Sequence, residues 1–178
     1  MSQLAHSEFG KLKTVFIKKA SAAFINEEHI QQYWESLNYL GKPDMTQALV
    51  EYDAFENILK EHGAEVLYFP EDASVNMDSI YCRDAAIATS HGMIICNMGK
   101  DGRKKEPAAQ ARAYAEQGIP VLGTIIAPGT IEGGDVAWLD ATTLAVGNTY
   151  RTNEAGIQQL KELLHTIGVK VITADMPH

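Results

Sequence analysis

The strongest constraint in the sequence is that its middle and its last part repeat each other. Asp84 and Asp135 are 51 residues apart, and Gly118 and Gly168, each closing a helical pattern, are 50 apart. Gly63-Ala64-Glu65-Val66-Leu67, Gly118-Ile119-Pro120-Val121-Leu122 and Gly168-Val169-Lys170-Val171-Ile172 each put a glycine just ahead of an apolar run. Gly63 to Gly118 is 55, so the first repeat is less regular. A period of this size is the mark of stacked or radial modules, none of which buries its apolar faces alone. A radial array closes on itself to remove its exposed flanks, so three modules read as an incomplete set.

Each repeat has the order strand, strand, helix, strand. In the first full one, residues 85–89 and 93–97 flank the turn Ser90-His91-Gly92 as a hairpin. Glu106-Pro107 opens a helix, with proline where a missing N–H matters least, and Gly118 closes it before a strand over 120–126. In the next, residues 136–139 and 143–147 pair across Asp140-Ala141-Thr142. Asn153 then caps a helix with Ile157, Leu160, Leu164 and Ile167 on one face, and a strand over 169–173 follows. Upstream, residues 11–18 hold a β-branched run, and the spacing predicts a helix over 25–40 capped by Asn26 and ended by Gly41. A second helix runs from Asp44 to His62-Gly63, a strand covers 65–69, and an acidic loop covers 70–78. The expected class is α/β, one domain over 1–178 with modules over 9–70, 78–127 and 131–174.

Composition excludes several classes of function. The 178 residues are 46% hydrophobic and 21% charged, as in an ordinary globular protein. A net charge of -8 is repelled by phosphate and argues against nucleic-acid and anionic-membrane partners. Apolar runs such as 93–96 are far shorter than the ~20 residues that span a bilayer. No basic-then-apolar leader opens the sequence, and the expectation is a cytoplasmic protein whose two cysteines, Cys82 and Cys96, are free thiols.

Polar residues that packing does not require gather at the module junctions, Asp78 to Asp84 and Pro128 to Asp135. In a radial array equivalent junctions converge, so Asp84 and Glu132 can meet although 48 residues separate them. Two convergent carboxylates suit a planar cation such as a guanidinium; the alternative is that both are turn or capping residues beside glycines that shape a bend. Arg103 and Arg151 precede two helices, either as solvated charges or as ligands for an anionic group. Cys82 beside Arg83 is either a nucleophile or a small apolar filler on a strand. Glu132-Gly133-Gly134-Asp135 lacks the lysine and serine or threonine of a phosphate loop. Histidines at 6, 29, 62, 91, 165 and 178 form no close pair, so no metal site is expected, and His62 and His165 fall at helix C-termini.

The segments Asp78-Ser79-Ile80-Tyr81-Cys82-Arg83-Asp84, Arg103-Lys104-Lys105-Glu106, Ile131-Glu132-Gly133-Gly134-Asp135-Val136 and residues 147–157, with Arg151-Thr152-Asn153-Glu154 at their centre, together resemble the guanidine-modifying (pentein) superfamily. In style they are most similar to dimethylarginine dimethylaminohydrolases and related amidinotransferase-type hydrolases, over nearly the whole chain from Phe9. The resemblance implies a propeller of five ββαβ modules, about three of them present here, around a polar central site without metal or organic cofactor. It implies that Asp84 and Glu132 are the catalytic, guanidinium-binding carboxylates. Arg103 and Arg151 would hold the carboxylate end of an amino-acid substrate, and Asp78 is a weaker candidate for its amine. Neither Cys82 nor any histidine matches the family's nucleophile and proton-transfer residues, which are expected beyond His178.

The implied activity is hydrolysis of guanidino or amidine C–N bonds of arginine-like small molecules through a cysteine-thiouronium adduct. This chain alone is expected to be inactive. Related alternatives are an amidinotransferase and an arginine or agmatine deiminase; a non-catalytic propeller serving as a binding module is the alternative of another class. A further alternative is a self-contained hydrolase using Cys82 with His91. An incomplete ring has two unpaired flanks, which favours a homo-oligomer.

Overall fold

A computed structural model describes residues 8–176. The chain forms two compact units, Lys11–Cys82 and residues 83–176 with 8–10.

In the first unit, β1 (Thr14–Ile17) and β2 (Glu65–Tyr68) run parallel, with Thr14 opposite Glu65 and Ile17 opposite Tyr68. Helices α1 (Ala20–Phe24), α2 (Glu27–Tyr33) and α3 (Met45–Glu61) connect them. Side-chain caps start the two longer helices: Asn26 accepts from the His29 N–H and Asp44 from the Gln47 N–H, both at 2.8 Å. The helix predicted over 25–40 is shorter than expected, and Gly41 does not end it. Asn38 takes the left-handed conformation at φ 65°, with the Asn38 and Tyr39 N–H groups bonded to the Glu35 and Trp34 carbonyls. This is a Schellman stop with asparagine in the glycine place, a residue whose short polar side chain tolerates that geometry. Tyr39 then packs edge-on against Phe24 at 6.5 Å. On α3, buried Glu56 accepts from Lys60 and from the Tyr68 hydroxyl, the latter at 2.6 Å, with the Lys19 ammonium 3.2 Å away.

The second unit contains two sheets of the same topology. In one, β3 (Ala86–Thr89) and β4 (Gly92–Ile95) are antiparallel, and β4 runs parallel to β5 (Val121–Thr124) after the crossover helix α4 (Glu106–Glu116). In the other, β6 (Val136–Asp140) and β7 (Thr143–Asn148) form the hairpin, and β8 (Lys170–Asp175) lies parallel to β7 after α5 (Glu154–His165). Ile94, Ile131, Leu144, Leu160 and Leu164 are fully buried in one core cluster. The edge strand β6 is covered: Glu8 accepts from the Trp138 N–H at 2.8 Å, and Arg83 donates to the Val136 carbonyl at 2.9 Å.

The three repeat glycines share one task. Gly63, Gly118 and Gly168 have φ of 81°, 66° and 74° and close α3, α4 and α5 with paired bonds to carbonyls three and five residues back. Only glycine takes this conformation without a Cβ penalty, and the stop aims the chain straight into the next strand. Cys82, expected on a strand, lies instead in the 3-10 turn Cys82–Ala85, its Sγ donating to the Ile80 carbonyl at 3.4 Å.

Candidate functional site

Two junctions of the second unit meet because two glycines allow it. Asp84 sits in the turn Cys82–Ala85, and Glu132 immediately precedes the turn Gly133–Asp135. A Cβ on Gly133 would collide with the Arg83 carbonyl oxygen, and one on Gly134 would lie 2.7 Å from Asp84 Oδ1. The Glu132 turn can therefore press against the Asp84 turn only without side chains at 133 and 134. The proximity has an electrostatic signature: the Cys96 thiol pKa is pushed well up, first by burial, then by the Asp84 and Glu132 charges. That thiol stays protonated.

Each carboxylate holds a guanidinium of the same chain. Arg103 Nη1 donates to Asp84 Oδ2 at 2.5 Å, and its other edge forms a bidentate pair with Glu106, Nε to Oε1 at 2.9 Å and Nη2 to Oε2 at 2.7 Å. The Arg103 side chain is only 5% exposed and that of Glu106 2%. Burial opposes the arginine charge, but the hydrogen bonds and charges of Glu106 and Asp84 outweigh it and raise the Arg103 pKa. Arg151 Nη1 donates to both Glu132 oxygens at 3.1 Å, and the Lys100 N–H donates to Glu132 Oε1, also at 3.1 Å. Arg151 is 26% exposed and lies 4.9 Å over the exposed Tyr150 ring. Its pKa is likewise raised, with burial opposing and Glu132 favouring the charge.

Four of the five residues picked from the sequence are thus in one unit, as two carboxylate–arginine pairs. Asp78 belongs to the other unit, buried in the turn Met77–Ile80 that Asn76 caps. The sequence reading gave no site role to Glu106, noted as a helix start and in the Arg103–Glu106 run, nor to the hydroxyls of Thr149 and Thr152. A signal was present: both pairs have a separation of 19 residues. His91 lies in the β3–β4 turn beside the Ser90 hydroxyl, 3.0 Å from its Nδ1. His6 and His178 lie outside the described residues. Among the described residues no group of three His, Cys, Asp or Glu side chains is placed to hold a metal ion, and no helix is long and apolar enough to cross a membrane.

A repeated ββαβ unit whose junction carboxylates grip guanidinium groups belongs with the guanidine-modifying α/β proteins. The pattern of the family described as "N,N dimethylarginine dimethylhydrolase, eukaryotic" matches residues 16–177, and the chain belongs to that family. It is 34% identical over 131 residues to an N(G),N(G)-dimethylarginine dimethylaminohydrolase of Streptomyces coelicolor, which covers 74% of this chain and 50% of that one. It is 28% identical over 132 residues to the enzyme of the same name from Pseudomonas aeruginosa, with coverage of 74% and 51%. The crystal structure of a dimethylarginine dimethylaminohydrolase adduct with 4-chloro-2-hydroxymethylpyridine superposes with a TM-score of 0.74 at 26% identity, covering 93% of this chain and 61% of that one. The chain spans about half the length of the curated relatives it matches, 50% and 51%.

Proposed function

We propose that this chain supplies the guanidinium-binding carboxylates, Asp84 and Glu132, of a hydrolase that cleaves the C–N bond of arginine-like substrates, methylated arginines foremost. The observation that carries the reading is that both carboxylates have guanidinium groups as partners within the chain, in the charge-assisted geometry that a substrate guanidinium needs. The Glu132 side chain is the more enclosed of the two carboxylates, 8% exposed against 22% for Asp84, but its partner Arg151 is the more open arginine, 26% exposed against 5% for Arg103. In this reading the partly exposed Arg151 meets the substrate carboxylate, Arg103 can join it only by giving up Asp84, and Asp78 is the candidate for the substrate amine. The two sheets of the second unit and the β1–β2 unit serve as modules over 78–127, 131–174 and 9–70 of a five-module propeller. The attacking cysteine and the proton-moving histidine come from polypeptide beyond these 178 residues. The thiolate adds to the guanidinium carbon, the amine departs with a proton, and water releases the ureido product and restores the thiol. Two free cysteines accord with a reducing, cytoplasmic setting.

The test is to incubate the full-length protein with N(G),N(G)-dimethylarginine, L-arginine and agmatine and to measure ureido product and released amine. Dimethylarginine is expected to turn over, and Glu132→Gln to lower kcat/KM about ten- to a hundredfold, the worth of a charge-assisted hydrogen bond at ~1.5–3 kcal/mol. No product from any of the three sinks the hydrolase reading.

A further inference from the structure

One carboxylate that the proposed chemistry does not use lies behind the Glu132–Arg151 pair and touches both halves of it through hydroxyls. Asp135 Oδ2 accepts from the Thr152 hydroxyl at 2.6 Å and from the Thr149 hydroxyl at 3.0 Å. The Thr152 oxygen in turn accepts from the Glu132 N–H at 3.1 Å. The Thr149 oxygen accepts from the Arg151 N–H at 3.0 Å and the Thr152 N–H at 3.1 Å. Thr152 is fully buried, so its hydroxyl cannot turn to water instead. An ionised carboxylate only accepts, and a hydroxyl has a single proton. Once both threonine protons point at Asp135, both oxygens offer only lone pairs to the backbone N–H groups of 132, 151 and 152. The direction of every bond is then set by one charge.

We propose that Asp135 is a positioning residue which, through Thr149 and Thr152, holds Glu132 and Arg151 as a single recognition unit. The proposal rests on the reading that Glu132 contacts the substrate guanidinium. Asp135 itself touches no reacting atom. It fixes the backbone on both sides of the pair, so that a ligand meets a carboxylate and a guanidinium at a preset separation and the protein need not order them on binding.

The experiment is calorimetric titration of the full-length protein with L-arginine. Thr152→Val keeps the shape and removes the hydroxyl; Asp135→Ala removes the acceptor. Each is expected to weaken binding tenfold or more, while Thr152→Ser and Asp135→Asn, which keep a hydroxyl and an oxygen acceptor, stay within threefold of the parent. In a Glu132→Gln background Thr152→Val is expected to add less than threefold, because the residue it positions is already lost. If Thr152→Val does not fold, Asp135→Ala and Asp135→Asn decide alone. Binding within twofold of the parent in Asp135→Ala, while Glu132→Gln weakens it, overturns the positioning role and leaves the carboxylate reading standing. So does a Thr152→Val loss that adds in full to that of Glu132→Gln, since that is the behaviour of general structural damage. Unchanged binding in Glu132→Gln instead removes the reading on which the proposal rests.

Discussion

Arg103 is enclosed by two carboxylates, Asp84 and Glu106, with almost no access to water. Removing one partner from such an arrangement leaves a buried charge short of its counterpart, which costs about 3–5 kcal/mol. Glu106→Ala is therefore expected to lower stability by about that amount in urea unfolding, whereas Lys104→Ala, whose partner Asp101 is 90% exposed, should leave it within about 0.5 kcal/mol. Glu56 responds to acid instead. Hydrogen bonds from Lys60, then from Tyr68, hold its pKa down to about 2 against an ordinary value of 4.5. Over that interval the unfolded chain takes up a proton that the folded one refuses. The stability Glu56 contributes is thus complete above pH 4.5 and is lost as the pH falls toward 2. A urea midpoint followed against pH should show a shallower acid limb in Glu56→Gln than in the parent; identical limbs would refute the assignment.

Helix stops tell how far local sequence determines an element. Gly118 has φ 66° and open space around it, so Gly118→Ala suffers only the left-handed Cβ penalty, about 1–2 kcal/mol. Gly41, which has no positive φ and no neighbour within reach of a Cβ, should accept alanine without loss or with a small gain. Thermal unfolding of the two variants separates a glycine that stops a helix from one that merely follows it. The hairpins, the crossover helices and the three glycine stops of the repeats were legible because each is set by residues within a few positions. Asn38 was overlooked because Gly41 offered a stronger local stop signal, while the stop that forms places Tyr39 against Phe24, a contact between distant residues. The same holds within the site. Asp84, Glu132, Arg103 and Arg151 stood out by residue type and position, yet Thr152, which serves Glu132 across 20 residues, looks in sequence like any residue ahead of a helix cap.

For the molecule as a whole, the two cysteines report on integrity. Cys96 is buried and held protonated, while Cys82 is partly accessible. Of these two thiols, an aromatic disulfide reagent should modify Cys82 in native buffer and Cys96 only in urea, and labelling of Cys96 in the native protein would contradict its burial. Membership of the dimethylarginine dimethylhydrolase family follows from the match over residues 16–177, whereas composition alone had only narrowed the class.

The separation of 19 residues in both carboxylate–arginine pairs bears on how the chain is made. On a ribosome adding about 5–20 residues per second, each arginine emerges about one to four seconds behind the carboxylate that neutralises it. Each of these two repeats thus carries the arginine for its junction carboxylate within itself. Successive repeats can settle in the order of synthesis, each junction carboxylate waiting only for an arginine of its own repeat and not for one from a later repeat.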